Sequence, residues 1–308
     1  MTAYKVLLYY FYTLMEDPEG FAVKHLKYCK ELGLKGRIII AGEGLNGTVS
    51  GTTEACETYM RSLKEDIRFA GIDFKIDDVA EHVFHKMHVR VKPEIVHLGV
   101  RGEKALDPNK LTGIHLTPQE FLEMKDQRDV VVVDMRSDYE YELGKFKDAV
   151  TLNLENFRDL PQHLHQLEKY RDKKIITYCT GGIKCEKATA LLLESGFNDV
   201  YQLQGGVIKY AQETGGVDFE GELYVFDGRI KVDVNKVNPT VISKCFVCGT
   251  PSSRMVNCAN PDCNIHTTIC LTCAVQFDGA CSTTCKEHPR KRPYNEKGYY
   301  PKPAVDYL

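Results

Sequence analysis

The stretch Ile175-Ile176-Thr177-Tyr178-Cys179-Thr180-Gly181-Gly182-Ile183-Lys184-Cys185-Glu186-Lys187-Ala188-Thr189-Ala190-Leu191-Leu192-Leu193-Glu194 decides how the middle of this chain folds. Ile175 to Tyr178 reads as a buried strand, and Cys185 to Glu194 as a helix stopped by Gly196. Between them lies a six-residue loop, Cys179 to Lys184. A loop at a strand-to-helix junction turns successive backbone N–H groups toward one point, beside the positive end of the helix dipole. A thiol held there loses its proton easily and becomes nucleophilic at neutral pH. Gly181 and Gly182 let the backbone curl around the sulfur, and Lys184 and Lys187 add positive charge. The plainer reading is a buried structural cysteine in a turn. The arrangement favours Cys179 as a nucleophile.

Working outward, Val130 to Asp134 and Val200 to Leu203 are also short, continuous apolar runs of the kind buried on both faces of a parallel sheet. Residues 119–222 are therefore expected to form an α/β domain with an open parallel sheet covered by helices. Residues 1–100 follow a different order. Tyr4 to Tyr12 reads as a strand, Pro18 to Leu32 as a helix and Gly36 to Ala41 as a strand. A glycine-rich run, a short strand from Thr48 to Ser50, a helix from Thr53 to Leu63 and a strand starting at Phe74 follow. This β-α-β-β-α-β order matches a ferredoxin-like α+β domain. Val89 to Gly99 reads as a strand leading out, and the polar residues 101–118 as a linker. Residues 223–308 make up the last region, in which apolar periodicity gives way to cysteine from about residue 240. The expected whole is α/β: a ferredoxin-like domain, a parallel-sheet domain and a cysteine-rich, metal-binding segment with a basic tail.

A chain of 308 residues is long enough for about two or three such units. Its formal net charge of -3 gives no global attraction to nucleic acid, so any such contact needs a local patch. No apolar run approaches the roughly 18 residues that span a bilayer, which argues against a membrane partner. The first residues lack the basic-then-apolar layout of a signal peptide. A cytoplasmic location is expected. Cys29 and Cys56 fall among apolar residues of the first unit and read as ordinary buried thiols.

On these motifs, residues 119–215 resemble the rhodanese superfamily. Asp134-Met135-Arg136, Tyr139-Glu140-Tyr141 and Gly144-Lys145-Phe146 stand where that family has its Asp-x-Arg, acidic-aromatic and Gly-His-Ile elements. Val200-Tyr201-Gln202-Leu203 with Gly205-Gly206-Val207 matches its closing strand and turn. Lys145 replaces the usual histidine. Lys184 replaces an arginine, keeping the charge but losing the planar fork. The phosphatase branch resembles Cys-x5-Arg; here Cys185 holds the arginine position, so the shorter loop fits sulfur-sized chemistry such as a persulfide on Cys179. The resemblance implies Cys179, Lys184 and Cys185 as catalytic residues, with Cys185 either resolving an oxidised Cys179 or only packing. Thr180, Gly181, Gly182, Ile183 and Arg136 are the implied substrate contacts.

The run Ala41-Gly42-Glu43-Gly44-Leu45-Asn46-Gly47-Thr48-Val49-Ser50-Gly51 reads either as a tight strand connection or as a loop cradling phosphate, with Gly44 and Asn46 as contacts. It is not a Walker motif. Ahead of a rhodanese-like unit and a cysteine-rich tail, it makes nearly the whole chain similar to the bacterial tRNA uridine hydroxylase family. Val91-Lys92-Pro93-Glu94-Ile95-Val96, Cys179 to Lys187 and Asn257-Cys258-Ala259-Asn260 carry the same likeness. That resemblance implies tRNA as partner, oxygen as co-substrate and 5-hydroxylation of the wobble uridine. The other reading is a sulfurtransferase passing persulfide sulfur from Cys179, supplied by a sulfur donor or taken by a carrier protein. No dinucleotide fingerprint or other nucleotide-cofactor motif is present. His82, His85, His88 and His97 are the other candidate metal ligands, but Val89, Val91 and Ile95 read as strand there, which argues against a site.

Eight of the twelve cysteines lie in four pairs: Cys245 and Cys248, Cys258 and Cys263, Cys270 and Cys273, Cys281 and Cys285. Such spacing suits two structural zinc ions with four thiolates each. Pairing first with third and second with fourth, or sequentially, both work, and disulfides are the alternative. So short and apolar-poor a segment needs staples to fold. Beyond it, Lys286 to Lys302 interleaves basic residues with Tyr294, Tyr299 and Tyr300, as either a solvated tail or an RNA contact.

Overall fold

The computed structural model describes residues 3–100, 102, 105–298 and 300. The first unit comprises β1 (Tyr4–Tyr12), α1 (Pro18–Glu31), β2 (Lys35–Ala41), β3 (Gly44–Thr52), α2 (Thr53–Glu65), β4 (Asp73–Val79) and β5 (Met87–Val91). Its sheet runs β4-β1-β3-β2-β5, with β5 parallel to β2 and the other neighbours antiparallel. This is the expected ferredoxin-like order with one strand added at the edge. Strand alternation divides β1 cleanly. Leu7 and Tyr9 point into a core shared with Cys29 of α1 and with Cys56 and Tyr59 of α2. Burial pushes those two thiols up to about 12 and about 11, so both stay protonated packing groups.

Three expectations shift here. The glycine-rich run is strand rather than loop: Ala41 already pairs with Gly44, so Gly42-Glu43 alone turns the chain. Its glycines serve packing within the sheet. A Cβ on Gly47 would meet the Tyr9 hydroxyl at 2.3 Å, and one on Gly44, at φ +138, would meet the Phe11 carbonyl oxygen at 2.0 Å. The strand expected over Val89–Gly99 is β5, which ends at Val91, two residues before Pro93 with its missing N–H. The polar stretch 101–118 includes β6 (Ile114–Leu116), which belongs to the second sheet.

That second sheet gathers β6, β7 (Val130–Asp134), β9 (Val150–Thr151), β10 (Lys174–Tyr178) and β11 (Val200–Leu203) in the order β6-β11-β10-β7-β9, all parallel. Helices α3 (Pro118–Met124), α4 (Asp138–Leu143), α5 (Leu160–His163), α6 (Ile183–Glu194) and α7 (Gly206–Thr214) surround it. Val131, Val133 and Ile175 pack toward α6, whereas Val130, Val132 and Ile176 pack toward α3 and α7. Both faces are covered, which is why these strands are uniformly apolar. The short β8 (Gly144–Phe146) pairs with β12 (Phe219–Gly221), and β13 (Leu223–Tyr224) with β14 (Lys231–Val232). Leu223, Val225 and Val234 join the same core as α7, so it extends past residue 222. A small module follows, with the hairpin β15 (Met255–Asn257) and β16 (His266–Thr268) and the helices α8 (Leu271–Gln276) and α9 (Thr283–Lys286). Among the described residues no helix is long and apolar enough to cross a membrane.

Candidate active site and cysteine tetrads

Cys179 follows β10 directly and sits, almost fully buried, in a loop that closes at the first turn of α6. The Gly182 N–H donates to its Sγ at 3.2 Å. Gly182 has φ +100, a conformation that side chains resist, so glycine is needed there. Burial opposes ionisation of Cys179. The Cys185 thiol, the Lys184 charge and the N–H groups of Lys184 and Gly182 outweigh it, and its pKa falls to about 6. Burial and the neighbouring Cys179 push the Cys185 thiol well up. The pair is thus a thiolate beside a protonated thiol at neutral pH.

The predicted site residues divide. Lys184 contributes its field to Cys179, but its ammonium is held by Glu140 Oε2 at 2.6 Å. Thr180 Oγ1 also turns to Glu140, at 3.4 Å. Lys187 does not charge the loop mouth. Its buried Nζ bridges Glu43 and Glu94, each at 2.8 Å. Arg136 is fully buried and holds Asp134 through Nε and Nη2, with a further bond from Nη2 to the Gly144 carbonyl. The Tyr178 hydroxyl donates to the same Asp134 at 2.5 Å. This Arg136 geometry ties β7 to β8. Asn46 donates to the Ile95 carbonyl at 3.0 Å, and Gly44 packs on Phe11.

Sequence reasoning did not bring in the first unit's sheet as a wall of the site. The face of β1 opposite its helices lies on the Cys179 loop. A Cβ on Gly181 would meet Leu8 at 2.7 Å, and one on Gly182 would meet the Tyr10 hydroxyl at 2.9 Å. Ile183 packs with Tyr10, Tyr12, Ala41 and Ile95. The Tyr10 hydroxyl donates to Glu186 of α6, which also accepts from Thr112 and Gln202 and pairs with His115 Nε2 at 2.9 Å. Lys75, opposite Leu8 in the β1–β4 register, lies over the Tyr10 ring at 5.0 Å. The only signal for this was the period-two alternation of β1, whose second apolar face implied a covering partner.

In the last module the eight cysteines form two groups, Cys245, Cys248, Cys270 and Cys273, then Cys258, Cys263, Cys281 and Cys285, with the sulfurs in each within 4.8 Å of one another. The pairing is interleaved, first with third and second with fourth. None of the eight is in a disulfide. The sulfur separations of 3.7 Å for Cys248–Cys270, Cys263–Cys281 and Cys281–Cys285 approach the ~3.8 Å edge of a tetrahedron with metal–sulfur bonds of about 2.3 Å. Backbone N–H groups of Cys270 and Cys281 donate to the sulfurs of Cys245 and Cys258. Each group fits a four-thiolate metal site. His82 instead bonds Ser50 and His88 lies on β5, and among the described residues only these two cysteine groups gather in this way. The tail packs back on the module: Arg292 donates to the Cys258 and Ala259 carbonyls, and Tyr300 pairs with Asn257 and lies under Arg292. Tyr299 and Lys302 lie outside the described residues.

A parallel sheet that ends β10 in a glycine loop around a lowered-pKa cysteine defines an enzyme of the rhodanese-domain class. Family models match in three places: a UPF0176 acylphosphatase like domain over residues 4–95, a rhodanese-like domain over 117–213 and a rhodanase C-terminal region over 220–286. A protein of Cytophaga hutchinsonii named tRNA uridine(34) hydroxylase is 58% identical over 307 residues, covering 100% of this chain and 97% of its own. One of the same name from Staphylococcus saprophyticus is 50% identical over 94% of this chain and 92% of its own. This chain belongs to the tRNA uridine(34) hydroxylase family. A solved rhodanese-related protein from Thermoplasma volcanium is similar over 33% of this chain and 93% of its own, at 21% identity and a TM-score of 0.29.

Proposed function

We propose that this protein hydroxylates uridine 34 of tRNA to 5-hydroxyuridine, with dioxygen as co-substrate and Cys179 as the reacting thiolate. The observation that carries the reading is the 58% identity, across the whole chain, to a protein bearing that name. The lowered pKa of Cys179 supports its role, because a thiolate and not a thiol is the nucleophile. A stacked anticodon base hides its edge, so the uridine is splayed out to reach the loop. Thr180, Gly181, Gly182 and Ile183 surround the sulfur and form the near wall. Gly44, Asn46 and Arg136 act at one remove. Gly44 pairs with Tyr12 and Asn46 holds Ile95, both of which pack with Ile183. Arg136 holds Asp134, the acceptor of the Tyr178 hydroxyl just before Cys179. Cys185 is the thiol that resolves Cys179 once it is a sulfenic acid: the Cys185 sulfur forms a disulfide with Cys179 and the hydroxyl leaves as water. Two equivalents of an external thiol then reduce the disulfide and become a disulfide themselves.

The working unit combines the N-terminal domain of about residues 1–100, the rhodanese domain including β6, and the cysteine-rich region with its basic tail. Each cysteine tetrad holds one structural zinc. Reduced thiols of this kind and a tRNA substrate accord with the cytoplasm. The sulfurtransferase reading, with its sulfur donor or carrier protein, has no support in the relatives' names. Mass spectrometry of tRNA nucleosides tests the proposal. Cells lacking the gene should lose 5-hydroxyuridine at position 34, wild-type protein should restore it and Cys179→Ser should not. Unchanged nucleosides in the deletion strain, or full restoration by Cys179→Ser, would overturn it.

A further inference from the structure

Phe226 is a large aromatic side chain left 46% exposed. Isolated apolar residues at a surface are ordinary, but its setting is not. It follows the buried Val225 and precedes Asp227, whose carboxylate is almost fully buried against Arg229 at 2.6 Å. The turn between β13 and β14 that carries it is fixed. Val225 N–H donates to the Ile230 carbonyl, Gly228 N–H to Val83 of the first unit, and Arg229 also reaches Asp77 at 3.1 Å. A rigid turn therefore holds an apolar ring out toward solvent.

The ring also borders the catalytic loop. Lys184, the last residue of that loop, places Nζ 5.6 Å from the centre of the Phe226 ring while donating to Glu140. Behind it, Tyr224 meets Phe226 edge-on at 5.1 Å. Tyr224 in turn packs against Tyr139 and His266, the latter on β16 of the cysteine module. Phe226 is thus anchored by an aromatic cluster linking the rhodanese domain to that module, with the Lys184 ammonium over its ring on the loop side and 46% of the residue still open to solvent.

We propose that Phe226 is the stacking platform for the uracil of the target nucleotide, holding the splayed base beside the Cys179 loop. Base–aromatic stacking needs a ring held in place and open to solvent, and no hydrogen-bond pattern; this turn holds such a ring, 46% exposed, beside the loop. The inference rests on tRNA uridine being the substrate.

The sequence contains no tryptophan, so Phe226→Trp introduces a single fluorophore at the proposed contact. It would be titrated with an anticodon stem-loop RNA carrying uridine 34 and with the same RNA lacking that base, while anisotropy of labelled RNA records binding separately. Emission should be quenched by the uridine RNA and not by the abasic one. Phe226→Ala should bind the uridine RNA about tenfold more weakly, the order of one lost stacking contact, and Phe226→Tyr should recover most of the loss. Equal quenching by both RNAs, or none from RNA that anisotropy shows to be bound, would overturn the platform. Failure of the wild-type protein to bind either RNA would overturn the substrate, and this role with it.

Discussion

Replacing Lys184 by methionine separates two jobs that its ammonium performs together. The charge lowers the Cys179 pKa, and the same Nζ neutralises Glu140, whose side chain is fully buried at 2.6 Å. An opposite charge nearby depresses a pKa by about 1–3 units, so its removal should raise the Cys179 midpoint from about 6 toward about 7 or above. The sign follows from the depressed value: thiolate is present above the midpoint and lost as pH falls through it. At pH 6 the wild-type sulfur is about half ionised, and a one-unit rise leaves roughly a tenth, so iodoacetamide alkylation should slow about fivefold. Stranding Glu140 should also cost about 3–5 kcal/mol of folding stability. The double change Lys184→Met with Glu140→Gln removes the stranded charge, so it should recover most of the melting temperature and little of the thiolate. Alkylation of Cys179 across pH 4–9, followed by peptide mass spectrometry, measures the midpoint. An unchanged midpoint in Lys184→Met would refute the assignment of the charge to Cys179, whatever happens to stability.

Lys187→Met removes the buried cation between Glu43 and Glu94 and should cost about 3–5 kcal/mol, read as a lowered denaturation midpoint. An unaltered midpoint would show that this bridge does not hold the first unit to α6. The hydrogen bond that His115 donates to Glu186 raises the His115 pKa against the opposing effect of burial, so Glu186→Gln should lower it in an NMR titration. The stability that this pair adds is fully present below the unfolded histidine pKa and fades as pH rises through the folded one. Freshly purified reduced protein should carry about two zinc equivalents. Cys245→Ser with Cys270→Ser should leave one, since both belong to the first tetrad; sequential pairing would place them in different sites and lose both.

The rhodanese sheet was legible because its strands are buried on both faces, so that Val130 to Val133 and Ile175 to Ile176 announce themselves without alternation. Cys179 was legible for a related reason, as a loop between such a strand and a helix has few uses for two successive glycines. The glycines of β3 misled the loop boundary because sequence does not say whether a missing Cβ makes room for a ligand or for Tyr9. Arg136 shows the same ambiguity for charge, since a guanidinium two residues after an aspartate can face a substrate or clasp that aspartate. The zinc-like spacing was plain, but its interleaved pairing depends on the β15–β16 hairpin and is decided only by the fold.

The position of Cys179 between two domains accounts for a feature that a rhodanese domain alone would not need. Tyr10 to Glu186, Lys187 to Glu43 and Glu94, Gln212 to Ile76, and Arg229 to Asp77 all join the first unit to the rest of the chain. They surround the contact where Leu8 and Tyr10 lie against Gly181 and Gly182. Buried polar and charged groups are costly unless paired, and here the partners come from across the domain boundary. Docking of the first unit therefore completes the surroundings of the thiolate. An isolated rhodanese domain would expose α6 with Glu186 and Lys187 stripped of Tyr10, Glu43 and Glu94, and Gly181 and Gly182 without their covering strand. The chemistry at Cys179 depends on that cover, because the amides of Gly182 and Lys184 act most strongly on the sulfur where water is kept out.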